Sequence, residues 1–147
     1  MAFYTWAALL TQAWQESALL DNHKMKIALI QQHATEDLEA NVARGLKHID
    51  QAASQGAAMA VFAELAFTPF YPQYLAKDDI SHLAEPVPGS TTEKFMSKAK
   101  QHHMVVIINL FELDNGKTYD ASPVIDADGT LLGTTRMVHI ADYECFY

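Results

Sequence analysis

The residue with the clearest chemical potential is a carboxylate. In the stretch VFAELAFTPFYPQ (Val61 to Gln73), Glu64 stands where an apolar, strand-like run gives way to a proline-bearing loop. Open α/β sheets gather their ligands at the carboxyl ends of strands, so this spacing puts Glu64 where such sites form. Phe62, Leu65 and Phe67 flank it. Apolar neighbours strip water from the charged carboxylate and raise its pKa toward the range of a general base. A glutamate that merely ends a strand in solvent has the same local sequence, and this stretch alone leaves both roles open. Phe67, Phe70, Tyr71 and Tyr74 follow at once, as the wall of a pocket mouth or as loop packing.

The other chemistry-bearing residues point mostly to exclusions. The single cysteine, Cys145, rules out an intramolecular disulfide and a cysteine-rich metal site. It also predicts a reducing, cytoplasmic setting. Its surroundings, DYECFY, offer nothing that would activate a thiolate, so it reads as an ordinary loop or buried cysteine. The seven histidines form no H-x-x-x-H or H-x-H pair, so no metal site is expected, and no cofactor is called for. The formal net charge is −8 without a Lys/Arg cluster, which argues against nucleic acid and against an anionic membrane surface.

Something must hold Glu64 in place, and the composition allows it. Half of the 147 residues are hydrophobic and 19% are charged, a globular balance of single-domain length. KIALIQ (Lys26 to Gln31) is a short apolar run of strand length. From Glu36 to Ser54, Leu38, Val42, Leu46 and Ile49 recur at helical spacing, with Thr35 as the expected N-cap and Gly56 closing the helix. Ala57 to Glu64 is apolar on both alternating faces, as in a buried parallel strand. Leu65 to Gly89 holds four of the five prolines and reads as a long loop. Ser90 and Glu93 have the spacing of a capping box that opens a second helix, running to about His103 with Phe95, Met96 and Ala99 inward. Met104 to Leu113 reads as one apolar strand, and Asp114-Asn115-Gly116 as a hairpin turn. Strands over Ser122–Ile125 and Leu131–Val138 follow, separated by the Asp128-Gly129 turn. The order is β-α-β-α-β followed by a β-hairpin meander, an α/β fold with helices on one sheet.

Three ordered blocks carry a resemblance. FAELAFTPFYP resembles the segment around the catalytic glutamate of the nitrilase, or carbon–nitrogen hydrolase, superfamily. PGSTTEKFMSKAKQHHMVVIINLFE resembles the family's second helix and following strand, and TYDASPVIDADGTLLGTTRMVHI its next two strands. In the last block the family usually has Asn where this chain has Asp120. The resemblance runs from about Lys26 to the last residue and covers roughly half of a family domain. It implies half of a four-layer α-β-β-α sandwich, and hydrolysis of small nitriles, amides or carbamoyl compounds by Glu, Lys and Cys. There a thiol attacks the carbon, the Glu takes its proton and the Lys steadies the developing charge.

Carried over residue by residue, the Glu is Glu64, the general base, and Phe67, Phe70 and Tyr71 are substrate-pocket candidates. The family's G-x-Y-R-K-x-H pattern falls on Gly133 to His139, which puts Met137 at the Lys position. A thioether donates no charged hydrogen bond. Arg136 is a weak substitute, because strand alternation points it to the opposite face unless the strand slips. The nucleophile lies beyond the Lys in the family and has no counterpart here other than Cys145, a poor candidate. The expected organisation is therefore a leader, helical or disordered, over residues 1–24, and a truncated N-terminal part of a hydrolase domain over residues 25–147. The leader begins apolar but has no positive residue before Lys24, so it does not read as a secretory signal, and Ala2 to Leu10 is too short for a bilayer. Alone, the chain is expected to be inactive. The alternatives are a non-catalytic subunit that self-associates or pairs with a full-length relative, and an enzyme completed by another chain's Cys.

Overall fold

The computed structural model describes residues 24–75 and 79–140; the leader up to residue 23 and the segment containing Cys145 lie outside it. Strand β1 (Ile27–Ile30) leads into helix α1 (Leu38–Ser54), β2 (Met59–Phe62), a long loop with two 3-10 turns (Tyr71–Gln73 and Ser81–Leu83) and α2 (Ser90–His102). Then come β3 (Val105–Ile107), β4 (Leu110–Asp114), β5 (Lys117–Ile125) and β6 (Leu131–Arg136). One sheet holds the six described strands in the order β1-β2-β3-β5-β4, with β6 on the other part of β5. The first three strands are parallel, Ile27 opposite Met59 and Met59 opposite Val105, and the rest are antiparallel. The expected element order and α/β class hold.

Both crossovers step the same way along the sheet, so a single handedness puts both helices on one face. There Val42 and Ile49 of α1 and Phe95 and Ala99 of α2 meet Ala60, Phe62 and Val106 in the core. Phe62, Phe67 and Phe95 form a triangle of rings with centroids 5.1 to 5.3 Å apart. Gly45 of α1 lies over it: a Cβ there would come within 2.9 Å of the Phe67 ring and 3.1 Å of Phe95.

The opposite face is left open by the described elements. The strand registers align Ile27 and Leu29, Met59 and Val61, Val105 and Ile107 on it. Leu29 is 82% exposed and Ile27 50%. No described element covers these side chains. No described helix is long and apolar enough to cross a membrane.

Several local expectations are corrected. Met104 to Leu113 is two strands, not one: the chain leaves the sheet at Ile108-Asn109, and Asn109 turns its side chain inward. The cap of α1 is Asp37, whose carboxylate accepts from the Ala40 N–H at 2.9 Å, whereas Thr35 bonds to Asn41 instead. At α2 the N-cap is Gly89, and the reciprocal bond runs from its N–H to Thr92 Oγ1 at 2.6 Å, not between Ser90 and Glu93. Gly89 sits so close to the Pro86 carbonyl that any side chain in its place would clash.

Candidate active site

Glu64 lies two residues beyond β2, the strand between β1 and β3, and the loop that carries it is tied down at each of the next three residues. The Leu65 N–H donates to Asn109 Oδ1 at 2.6 Å, with Leu65 in the left-handed region at φ 46°. The Ala66 carbonyl accepts from Gln32 Nε2 at 2.9 Å. The Phe67 carbonyl accepts from Nδ2 of the fully buried Asn41 at 2.8 Å. A leucine at positive φ is strained, and such strain persists only where the surroundings hold it, as these bonds do.

Glu64 faces a cleft of about 640 Å³ whose walls include Phe70, Tyr71, Phe111, Asp120, Met137 and His139. Asp120 reaches it from β5 and Met137 from just past the end of β6, joined where the Met137 N–H donates to the Asp120 carbonyl at 2.9 Å. The Glu64 carboxyl is held above the usual carboxylate range. Loss of water around the charged form is the larger cause; the adjacent Asp120 carboxyl, hydrogen-bonded to it and opposing a second negative charge, adds to it. Neither Lys, Arg nor Cys is among the described residues lining the cleft. A carboxyl in such a place can take or give a proton, and no lysine or arginine stands beside it among the described lining residues.

Of the residues singled out from the sequence, Glu64, Phe70, Tyr71 and Met137 meet in this cleft. Phe67 does not: it is 2% exposed and belongs to the ring triangle of the core, because the tie to Asn41 turns the loop inward there. Arg136 also lies elsewhere. It donates to Glu112 at 2.6 and 2.9 Å and to Asp114 at 2.8 Å, and its guanidinium stacks 3.9 Å from the Tyr119 ring centroid. No slip brings it round, so the weak substitution of Arg136 for Lys loses its geometric basis. Cys145 is outside the described residues. Among the described residues there is no cluster of three or more potential metal ligands.

Two residues of the site were missed from sequence. Asp120 was visible only as a departure from the family's Asn. Asn109 was the one polar residue in a continuous apolar run, a signal that the run breaks there.

A profile of the carbon–nitrogen hydrolases matches residues 26–145. The N-carbamoylputrescine amidase of Solanum lycopersicum is 34% identical over 122 residues, which is 82% of this chain and 40% of that protein. The human protein described as omega-amidase NIT2 is 32% identical over 120 residues, covering 81% and 42% of the two chains. Among solved structures, a carbon–nitrogen hydrolase from Helicobacter pylori G27 superposes with a TM-score of 0.72 at 20% identity, over 80% of this chain and 41% of that one. Nit3 of Saccharomyces cerevisiae, a nitrilase-superfamily member, gives 0.65 at 25% identity over 78% and 44%. The chain thus spans about two fifths of the length of these relatives, somewhat less than the half expected. With the matched region extending over most of its length, this chain belongs to the carbon–nitrogen hydrolase family.

Proposed function

We propose that the cleft is the base-bearing part of a site for hydrolysing small amides or carbamoyl compounds, and that the 147-residue chain does not turn them over alone. The observation that carries this is the meeting of Glu64, Asp120 and Met137 in one cleft lined, among the described residues, by no Lys, Arg or Cys. In this reading Glu64 is the general base, and Phe70 and Tyr71 form the wall against which a substrate lies. A raised carboxyl is a stronger base once ionised, which suits removal of a thiol proton. The names of the relatives, an N-carbamoylputrescine amidase and an omega-amidase, support amide and carbamoyl substrates over other C–N bonds.

Two groups that turnover needs do not stand among the described residues of the cleft. No thiol stands among the described residues of the cleft, and a tetrahedral oxyanion would meet the Met137 thioether where the family supplies an ammonium. Loss of one such donor typically costs about 10²–10³ in rate. The single cysteine accords with a cytoplasmic setting. Ammonia release from a panel of nitriles, amides and carbamoyl compounds tests the reading, and none is expected. Turnover that disappears in Glu64→Gln would sink the claim of inactivity while keeping the base. Loss of turnover on Cys145→Ser would reinstate that cysteine as nucleophile.

A second reading is favoured by the sheet face around Leu29 that no described element covers: a non-catalytic subunit that covers this face with a full-length relative or with itself. If a complex with a relative turned out to be active, Met137→Lys would separate the two roles. A rate gain in the complex marks a shared active site, and no change marks a purely structural partner.

A further inference from the structure

Asn109 stands where β3 ends and β4 begins, 8% exposed, and its one carboxamide joins two parts of the cleft that the sheet itself does not connect. Its Oδ1 accepts from the Leu65 N–H at 2.6 Å, next in the chain to Glu64. Its Nδ2 donates to Asp120 Oδ1 at 2.5 Å and to Ser122 Oγ at 3.0 Å, both on β5. The Leu65 bond holds that residue at its positive φ of 46°, which sets where the preceding side chain emerges. The Asp120 bond uses one carboxylate oxygen and so fixes the orientation of the other. Two carboxyls do not approach in water, where each keeps its own hydration and they repel. Here an outside donor and acceptor bring them together.

We propose that Asn109 is the positioning residue of this site: it clamps the Glu64 loop and Asp120 in the one arrangement in which their carboxyls meet across the cleft. An aliphatic residue at position 109 would fill the same space beside Ile108 and Leu110 but make neither bond. A serine is too short to reach both partners. The clamp rests on the reading of Glu64 as the base of the site. It acts on Glu64 without touching substrate, and its effect is visible with no turnover at all, so failure of the hydrolase reading and failure of the clamp are separate outcomes.

The test is a ¹³C carboxyl NMR titration of the 147-residue chain, assigned at Glu64. The titratable groups facing Glu64 are Asp120 of β5, Tyr71 of the loop, Tyr119 of β5 and His139 beyond β6, with no lysine or arginine among the described lining residues. Asn109→Leu is expected to lower the Glu64 midpoint toward the ordinary carboxylate range, as the partner carboxyl swings away. Asp120→Asn lowers it too. Because the Asp120 arm of the clamp acts through that contact, Asn109→Leu lowers the midpoint less once Asp120→Asn has removed the partner carboxyl, the mark of a coupled pair. If Asn109→Leu does not fold, Asn109→Ser reads the same shift in the same two backgrounds. A Glu64 midpoint that stays put in the folded Asn109 variant, or that falls by the same amount with and without Asp120, would overturn the clamp. A merely structural asparagine would change stability and leave that midpoint alone.

Discussion

Glu112 is the most exposing test of a single side chain. Its carboxylate is 5% exposed, and Arg136 satisfies it with a two-pronged hydrogen bond while reaching on to Asp114. Those two acids raise the arginine's own pKa, Glu112 first. Arg136→Met strands a buried charge, and the cost comes from Glu112 left alone rather than from the pair's own worth. We expect Arg136→Met to lower the urea midpoint markedly and Glu112→Gln made in that variant to recover much of it. Equal losses with and without Glu112→Gln would show that the guanidinium matters through its stacking on Tyr119 instead. Two other carboxylates give opposite pH signatures. Asp50 is pulled below its ordinary value, first by a hydrogen bond from Lys98 and then by one from His102. It therefore adds stability above the ordinary carboxylate pKa and loses it as pH falls through the lowered value. Glu64 is raised, so its native state grips the proton harder, and stability falls as pH rises from the unfolded value through the raised one. Urea melts at neutral and acid pH check this. Glu64→Gln should gain stability at neutral pH and lose that gain in acid, whereas Asp50→Asn should lose stability at neutral pH and match the parent in acid. At this scale the sequence was half legible. Glu64 and Met137 could be placed from motif spacing, but the meeting of Glu64 with Asp120 depends on β5 lying beside β3, which no local pattern encodes. Phe67 was misplaced because its aromatic neighbours on either side look alike until Asn41 turns the loop.

Elements were read well where periodicity decides and poorly where one atom does. The helices, the two-residue Asn115-Gly116 turn with φ of 50° and 75°, and the parallel strands all follow from spacing and turn chemistry. Helix starts do not, since Thr35 and Asp37 are both competent caps and the structure uses Asp37 while Thr35 is bonded to Asn41. Asp37→Ala is expected to cost about 1 kcal/mol, the usual value for an N-cap, and Thr35→Ala to act through Asn41 rather than through the cap. Amide exchange in the first turn of α1 distinguishes them, rising in the Asp37 variant only. Gly45 gives the converse case of an element overruled by its neighbours. Alanine in mid-helix ordinarily gains up to about 1 kcal/mol over glycine. Against the Phe62, Phe67 and Phe95 rings we expect Gly45→Ala to lose about 1–2 kcal/mol net, since overpacking a filled core costs about 1–3 kcal/mol. A stabilised variant in thermal or urea melts would mean the ring triangle yields more readily than its close contacts imply.

At the scale of the whole molecule, both described helices pack on one side of the sheet. The other side, which no described element covers, presents Ile27 and Leu29 to water, with Met59, Val61, Val105 and Ile107 half-buried beside them. A contiguous apolar patch of ~400 Å² is already unusual on a soluble monomer. We expect the 147-residue chain to self-associate at micromolar concentration by light scattering, and Leu29→Lys to reduce the association without loss of helical signal. A compact, dye-negative monomer would refute this. Because a strand turns successive side chains to opposite faces, the lopsided coat also writes itself into what the sequence can tolerate. Along β1, β2 and β3, a saturation scan should alternate residue by residue. Polar replacements at Ile30, Ala60, Phe62 and Val106 would be purged, while those at Ile27, Leu29, Val61 and Ile107 would pass for folding and even favour yield. Selection for a covering partner would erase that two-beat rhythm, making both beats intolerant. The rhythm of permitted change in three short strands is thus a record of whether this face lives in water.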